Sequence, residues 1–173
     1  MIPIRNITDS KGYISSVYPA TAYLTFGPWI YLVPQYVPKS VLMLGYAGGT
    51  TAGLIRLFYG DVPITGVDIE DCEDFYNVNL VKADARDYIK TCESFDTVIV
   101  DMFDDGDLSQ SKFIYEQDFV DSLKQKANYI IVHTNTSADM SAYDGIQLIK
   151  TLDLNDARFY YYMVNDIPTL PIR

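Results

Sequence analysis

The stretch Val41-Leu42-Met43-Leu44-Gly45-Tyr46-Ala47-Gly48-Gly49-Thr50 decides how the rest of the chain is read. Four consecutive apolar residues ending at a glycine read as a strand buried on both faces, which is the pattern of a parallel sheet. The glycines that follow permit a tight turn and let backbone come close to a ligand. Thr50 to Tyr59 then reads as a helix with Leu54, Ile55, Leu57 and Phe58 on its buried side and Gly60 as its stop. A strand, a glycine turn and a helix N-terminus with free N–H groups form a ligand-binding unit of α/β proteins. No lysine stands at the Walker position, which argues against a phosphate-binding P-loop.

Downstream the same alternation continues. Ile64–Val67, Val78–Val81, Thr97–Val100, Tyr129–Val132 and Arg158–Val164 read as strands. Ala85–Cys92, Lys112–Lys126 and Tyr143–Leu152 read as helices, and Glu70–Tyr76 as a short helix at most. The fold class is therefore α/β, a Rossmann-like doubly wound, mostly parallel sheet with helices on both faces. This domain spans residues 40–173. Residues 1–39 differ: Pro3, Pro19, Pro28, Pro34 and Pro38 punctuate possible short strands at Tyr13–Tyr18, Tyr23–Phe26 and Trp29–Val33. They read as an extension packed on the same domain.

In such sheets the ligand lies beyond the carboxyl ends of the strands, so the residues at the strand tips carry the chemistry. The second strand ends in Asp68, which can accept hydrogen bonds from two ribose hydroxyls; as an alternative it is a solvated loop acid. Ile69 follows it, and Glu70 reads as a loop acid or cap partner as readily as a ligand. The third strand leads to Asp84 and Ala85. Asp84 can accept from the exocyclic amine of adenine or serve as N-cap of the next helix. The fourth strand ends in Asp101-Met102-Phe103-Asp104-Asp105-Gly106-Asp107, an acidic run that misses the calcium-loop pattern. Asp101 and Asp104 are the candidates to bind an ammonium group or take a proton from an attacking amine, with a solvated acidic loop as the alternative.

Composition narrows the function. The 173 residues are 49% hydrophobic and contain no run long enough to span a membrane. The N-terminus lacks the layout of a secretory signal, so a cytoplasmic location is expected. Cys72 and Cys92 form no metal-binding spacing and His133 is the one histidine, so no metal site is expected. The net charge of −10 disfavours a nucleic-acid partner and suits a cationic small molecule, although acidity also serves solubility alone.

Taken together, VLMLGYAGGTTAGL, ITGVDIE, VKADARDYI and FDTVIVDMFDD resemble, in order and spacing, the spermidine synthase-like branch of the class I S-adenosylmethionine-dependent methyltransferases. The resemblance covers roughly residues 24 to 134. It implies S-adenosylmethionine, its decarboxylated form or methylthioadenosine as the ligand. It matches Gly45, Ala47 and Gly49 to the glycine motif beside the methionyl and ribose parts, Asp68 to the ribose-binding acid and Asp84 to the acid that contacts adenine, with Gly48, Ile69, Ala85 and Asp101 also in the cofactor-binding set. It assigns Asp101 to deprotonating the acceptor, with Asp104 as the second acid of that loop. The stretch PWIYLVPQYVPKS lacks the polyamine-holding residues of that branch. Methyl transfer to a small-molecule acceptor is therefore favoured over aminopropyl transfer. A non-catalytic adenosyl-nucleoside-binding module and an NAD-linked oxidoreductase are the other readings, and a homodimer stays open.

Overall fold

All four residues of the decisive strand, Val41–Leu44 (β3), are buried in the computed structural model, which describes residues 4–23, 27–103 and 110–165. Leu42 and Leu44 point to one side and Val41 and Met43 to the other, as a pleated strand requires. β3 pairs in parallel with Ile64–Asp68 (β4) on one side and Phe95–Val100 (β6) on the other. Asn79–Lys82 (β5) extends the sheet beyond β4, and Ala127–Asn135 (β7) extends it beyond β6, both in parallel. Ala157–Met163 (β9) then runs antiparallel against β7, and Gln147–Leu154 (β8) pairs antiparallel with β9 at the edge. The order is β5-β4-β3-β6-β7-β9-β8. Because two reversals cancel, β8 runs with the first five strands and β9 alone runs against them.

Apolar side chains leave both faces of this sheet, so each face has its own helical layer. Ala85–Thr91 (α2) and Gln117–Lys126 (α3) cover the face carrying Leu42, Leu44, Val98, Val100, Ile130 and Val132. Thr50–Tyr59 (α1) covers the face carrying Val41, Met43, Ile99 and Ile131, through Ala52, Leu54 and Ile55. Leu57 and Phe58, expected on the buried side of α1, are 53% and 50% exposed. Among the described residues no helix is long and apolar enough to cross a membrane.

The N-terminal segment forms a separate two-stranded sheet, Arg5–Thr8 (β1) against Ile14–Tyr18 (β2). The expected strand at Trp29–Val33 is instead a 3-10 turn, Pro28–Leu32. Pro28 at its first position sets a helical φ and has no N–H to give a ladder. Of the expected strand Tyr23–Phe26, residues 24–26 lie outside the described residues. Glu70–Tyr76 holds no helix. Lys112–Lys126 is broken at the extended Glu116 into a 3-10 turn, Lys112–Tyr115, and α3.

The largest departure lies at Tyr143–Leu152, where a helix is expected. Only a 3-10 turn, Ser141–Tyr143, forms there, and the chain then enters β8. Leu152 and Leu154, two residues apart, are the half-buried positions that pack on the core. Leu148 and Ile149 stay exposed, which hides the two-residue period in the sequence. Pairing with β9 across a turn at Asn155, whose φ of 54° asparagine tolerates well, overrides the local preference.

Candidate functional site

The parallel register sets the strand tips level with one another. Leu44 lies opposite both Val67 and Val100, and Val100 lies opposite Val132. The next residues along, Asp68, Gly45, Asp101 and His133, therefore stand in one row across four neighbouring strands, β4, β3, β6 and β7. Gly45 has φ 85°, and a Cβ there would sit 2.1 Å from the Asp101 carbonyl oxygen. Only glycine allows β3 to leave the sheet this close to β6.

Asp68 holds the glycine turn in shape. Its Oδ2 accepts from the Tyr46 and Ala47 amides at 3.0 and 2.8 Å, and its Oδ1 accepts from the Glu70 amide at 3.0 Å. A carboxylate has about four acceptor positions; three are taken by these amides, and the Cys72 thiol meets the same carboxylate. Two ribose hydroxyls, the expectation for Asp68, would have to share the carboxylate with these groups. Ala47 sits at φ 50°, a left-handed conformation unusual for a residue with a Cβ. Beside these residues Ile69 is 67% exposed, an apolar side chain standing free at a strand tip.

Gly48 packs against the N-terminal hairpin. Its amide donates to Ser16 Oγ at 2.9 Å, and a Cβ there would lie 2.3 Å from Ile7 Cδ1. Side chains of the β1–β2 hairpin, Ile7 and Ser16, fill the space that this glycine leaves. Gly49 (φ 71°) precedes α1 and packs on the Tyr46 ring. Tyr46 is 2% exposed, and its hydroxyl has no hydrogen-bond partner among the described residues. Burial raises its phenol well above the ordinary tyrosine value.

Asp84 is the N-cap of α2: its Oδ1 accepts from the Arg86 amide at 2.8 Å. Arg86 also grips the same carboxylate through Nε and Nη2 at 3.3 and 2.9 Å. That guanidinium holds the Asp84 carboxyl below the usual range. The cap alternative is thus realised, and an adenine amine at Asp84 has to share the carboxylate with Arg86. The neighbouring Ala85, 3% exposed, has an N–H without a partner among the described residues. Cys72 lies by Asp68 and Glu70; burial, reinforced by those two carboxylates, pushes its thiol up to about 12.

Asp101 does not stand alone. His133 Nδ1 lies 2.8 Å from its Oδ1. No role is assigned to His133 by sequence reasoning, although the signal is present: it follows the apolar run of β7 as Gly45, Asp68 and Asp101 follow theirs. Asp104, Asp105 and Asp107 lie outside the described residues. Cavities of about 550 and 280 Å³ lie at the opposite end of the sheet, where the parallel strands begin and β9 ends, lined by residues such as Ser40, Pro63 and Phe95 or Gly145 and Met163. Neither includes a residue of the row. The first is walled by Arg56, whose Nε and Nη2 donate to the carbonyls of Tyr76 and Asn77.

Known structures share this fold. The chain is similar to human methyltransferase-like protein 13, solved with SAH, at TM-score 0.58 and 14% identity over 87% of this chain and 84% of that one. It is similar to a putative methylase from Haemophilus influenzae at TM-score 0.54 and 16% identity, covering 80% and 92%. A putative ribosomal RNA methyltransferase from Plasmodium falciparum gives TM-score 0.53 and 16% identity over 73% and 86%. The fold is that of the class I methyltransferases. No protein-family model matches the chain, and no curated protein matches it.

Proposed function

We propose that the chain binds S-adenosylmethionine across the tips of β3, β4 and β5 and transfers its methyl group to a small-molecule acceptor in front of β6 and β7. The observation that carries this reading is the row itself: Asp68 and Asp101 flank the Gly45 turn on one edge of the sheet. The residues present suit the donor. The Asp68 carboxylate accepts a ribose hydroxyl in place of the Cys72 thiol beside it. Ile69 offers apolar surface to the adenine, and Ala85 N–H and Asp84 offer polar contacts to its edge. Bound there, the donor supplies a sulfonium methyl that needs only an aligned nucleophile and the exclusion of water. The similar structures described above are named methyltransferases or methylases, which favours methyl over aminopropyl transfer.

An RNA acceptor is the second reading, favoured by the likeness to the Plasmodium protein, which is named a ribosomal RNA methyltransferase. The net charge of −10 opposes it, since a phosphate chain would approach against that field. Titration calorimetry with S-adenosylmethionine, its decarboxylated form, methylthioadenosine, NAD and a short RNA separates these readings. S-adenosylmethionine is expected to bind, and Asp68→Ala to weaken it at least about tenfold, or 1.4 kcal/mol. Binding of NAD alone would overturn the proposal.

A further inference from the structure

His133 is the one histidine in the chain and is fixed from several directions. Asp101 bonds its Nδ1 at 2.8 Å. Phe159 of β9 stacks on the ring, with centroids 4.5 Å and planes 13° apart. Phe103 meets it at a steep angle, 4.8 Å between centroids. Gln110 Nε2 donates to the His133 carbonyl, and the Tyr115 hydroxyl donates to Gln110 Oε1. Ring and backbone are both held, and the side chain is only 12% exposed. A carboxylate at Nδ1 keeps the proton on that nitrogen and leaves the lone pair on Nε2. Among the described residues nothing bonds Nε2, and Asp101 is the one ionisable side chain bonded to the ring.

We propose that His133, oriented by Asp101, is the proton-accepting end of an acceptor subsite, and that the acceptor is a neutral phenol. The proposal rests on the methyl-transfer reading above. As the phenol oxygen bonds to the methyl carbon, the carbon–sulfur bond breaks and its electron pair stays on sulfur. The hydroxyl proton passes to Nε2, and the imidazolium that forms is stabilised by Asp101 and later gives its proton to water. Asp101 is thus a positioning residue, not the base itself. A polyamine suits the place poorly. The Asp101 carboxylate is already engaged by His133 and is not free to pair with an ammonium group. The ring of Phe103, 36% exposed, offers a flat apolar body a face to pack against, while the fully buried Phe159 backs the imidazole.

The single imidazole makes nitrogen NMR on the full chain unambiguous. At mildly alkaline pH the expected state is protonated Nδ1 and bare Nε2, and Asp101→Asn is expected to shift population to the Nε2–H form. A wild-type ring protonated on Nε2 overturns the proposal, whatever the variant does. With S-adenosylhomocysteine present, added phenol should move the Nε2 resonance and putrescine should not. A resonance unmoved by phenol, or moved by putrescine alone, also overturns it. Failure of the donor to bind in calorimetry would sink the methyl-transfer reading instead, and the tautomer is read independently of that.

Discussion

Ser16 Oγ accepts a hydrogen bond from the Gly48 amide at 2.9 Å, tying the N-terminal hairpin to the glycine turn. The tie is doubled next to it. The Val17 amide donates to Thr50 Oγ1 at 2.8 Å, and the Thr50 hydroxyl donates back to the Val17 carbonyl at 3.0 Å. Ser16 is 2% exposed, so its loss leaves a buried amide unpaired. Ser16→Ala should therefore cost about 1–3 kcal/mol in urea unfolding. Because the hairpin backs the turn, affinity for S-adenosylmethionine should fall with it. An unchanged unfolding midpoint would show that the hairpin is decorative.

Ala47 sits where the turn asks for a left-handed residue, at φ 50°. A Cβ in that conformation costs on the order of 1 kcal/mol. Glycine removes the strain but brings a more flexible unfolded chain, which offsets part of the gain. Ala47→Gly is expected to raise the thermal midpoint modestly while preserving donor binding. A lower midpoint would mean that the Ala47 methyl packs usefully.

The parallel half of this fold is legible in the sequence because each of its inner strands is buried on both faces. Val41–Leu44, Ile64–Val67 and Thr97–Val100 read as strands with few polar interruptions, and each tip residue follows directly. The antiparallel edge is not legible in the same way. In β8 one face looks to solvent and Leu148 and Ile149 are exposed, so local composition mimics a helix and only pairing with β9 decides the outcome. The partner of Asp101 is hidden for a related reason. His133 lies 32 residues away, and no local pattern reports a contact made through strand register. Asp84 shows the converse limit: one residue satisfies a cap rule and a binding expectation at once, and only the Arg86 contacts show how far its carboxylate is committed.

Tyr46 links the turn to the sheet through two glycines. A Cβ on Gly49 would lie 2.2 Å from its hydroxyl oxygen, and a Cβ on Gly66 would lie 2.4 Å from its Cδ2. Gly66→Ala should overpack the site by about 1–3 kcal/mol, and Tyr46→Leu in the same chain should recover part of that loss. Tyr46→Phe removes a buried hydroxyl that has no partner among the described residues. It should be at least as stable as the native chain in urea, since no hydrogen bond is given up. Strong destabilisation by Tyr46→Phe would reveal a bonded partner for the hydroxyl.

The Arg86 guanidinium depresses the Asp84 carboxyl, so the folded state favours the charged form. The associated stability is fully present above the unfolded carboxyl value of about 4 and is lost as pH falls through the lower folded value. Asp84→Asn keeps a competent cap but removes this charge. The stability gap between the native chain and the variant should hold from neutral pH down to about pH 4 and close below it. A gap independent of pH in acid unfolding curves would locate the effect in the cap alone.

Asp68 carries the sharpest test, because its structural and ligand-binding duties are separable. Three backbone amides, those of Tyr46, Ala47 and Glu70, point at its carboxylate. The amide side chain of the Asp68→Asn variant would present one carbonyl oxygen and an NH₂ that faces donors. At least one backbone amide would then go unpaired, at a cost of about 1–3 kcal/mol of stability. The substitution also takes away one of the two carboxylate oxygens that a ribose hydroxyl could use. Affinity for S-adenosylmethionine, measured well below the unfolding midpoint, should then drop at least about tenfold. The two readouts answer different questions. A chain that loses stability yet keeps its affinity would confine Asp68 to shaping the turn, and the ribose would have to be held by another group. A chain that loses both ties the shape of the turn to the ligand it was built to receive.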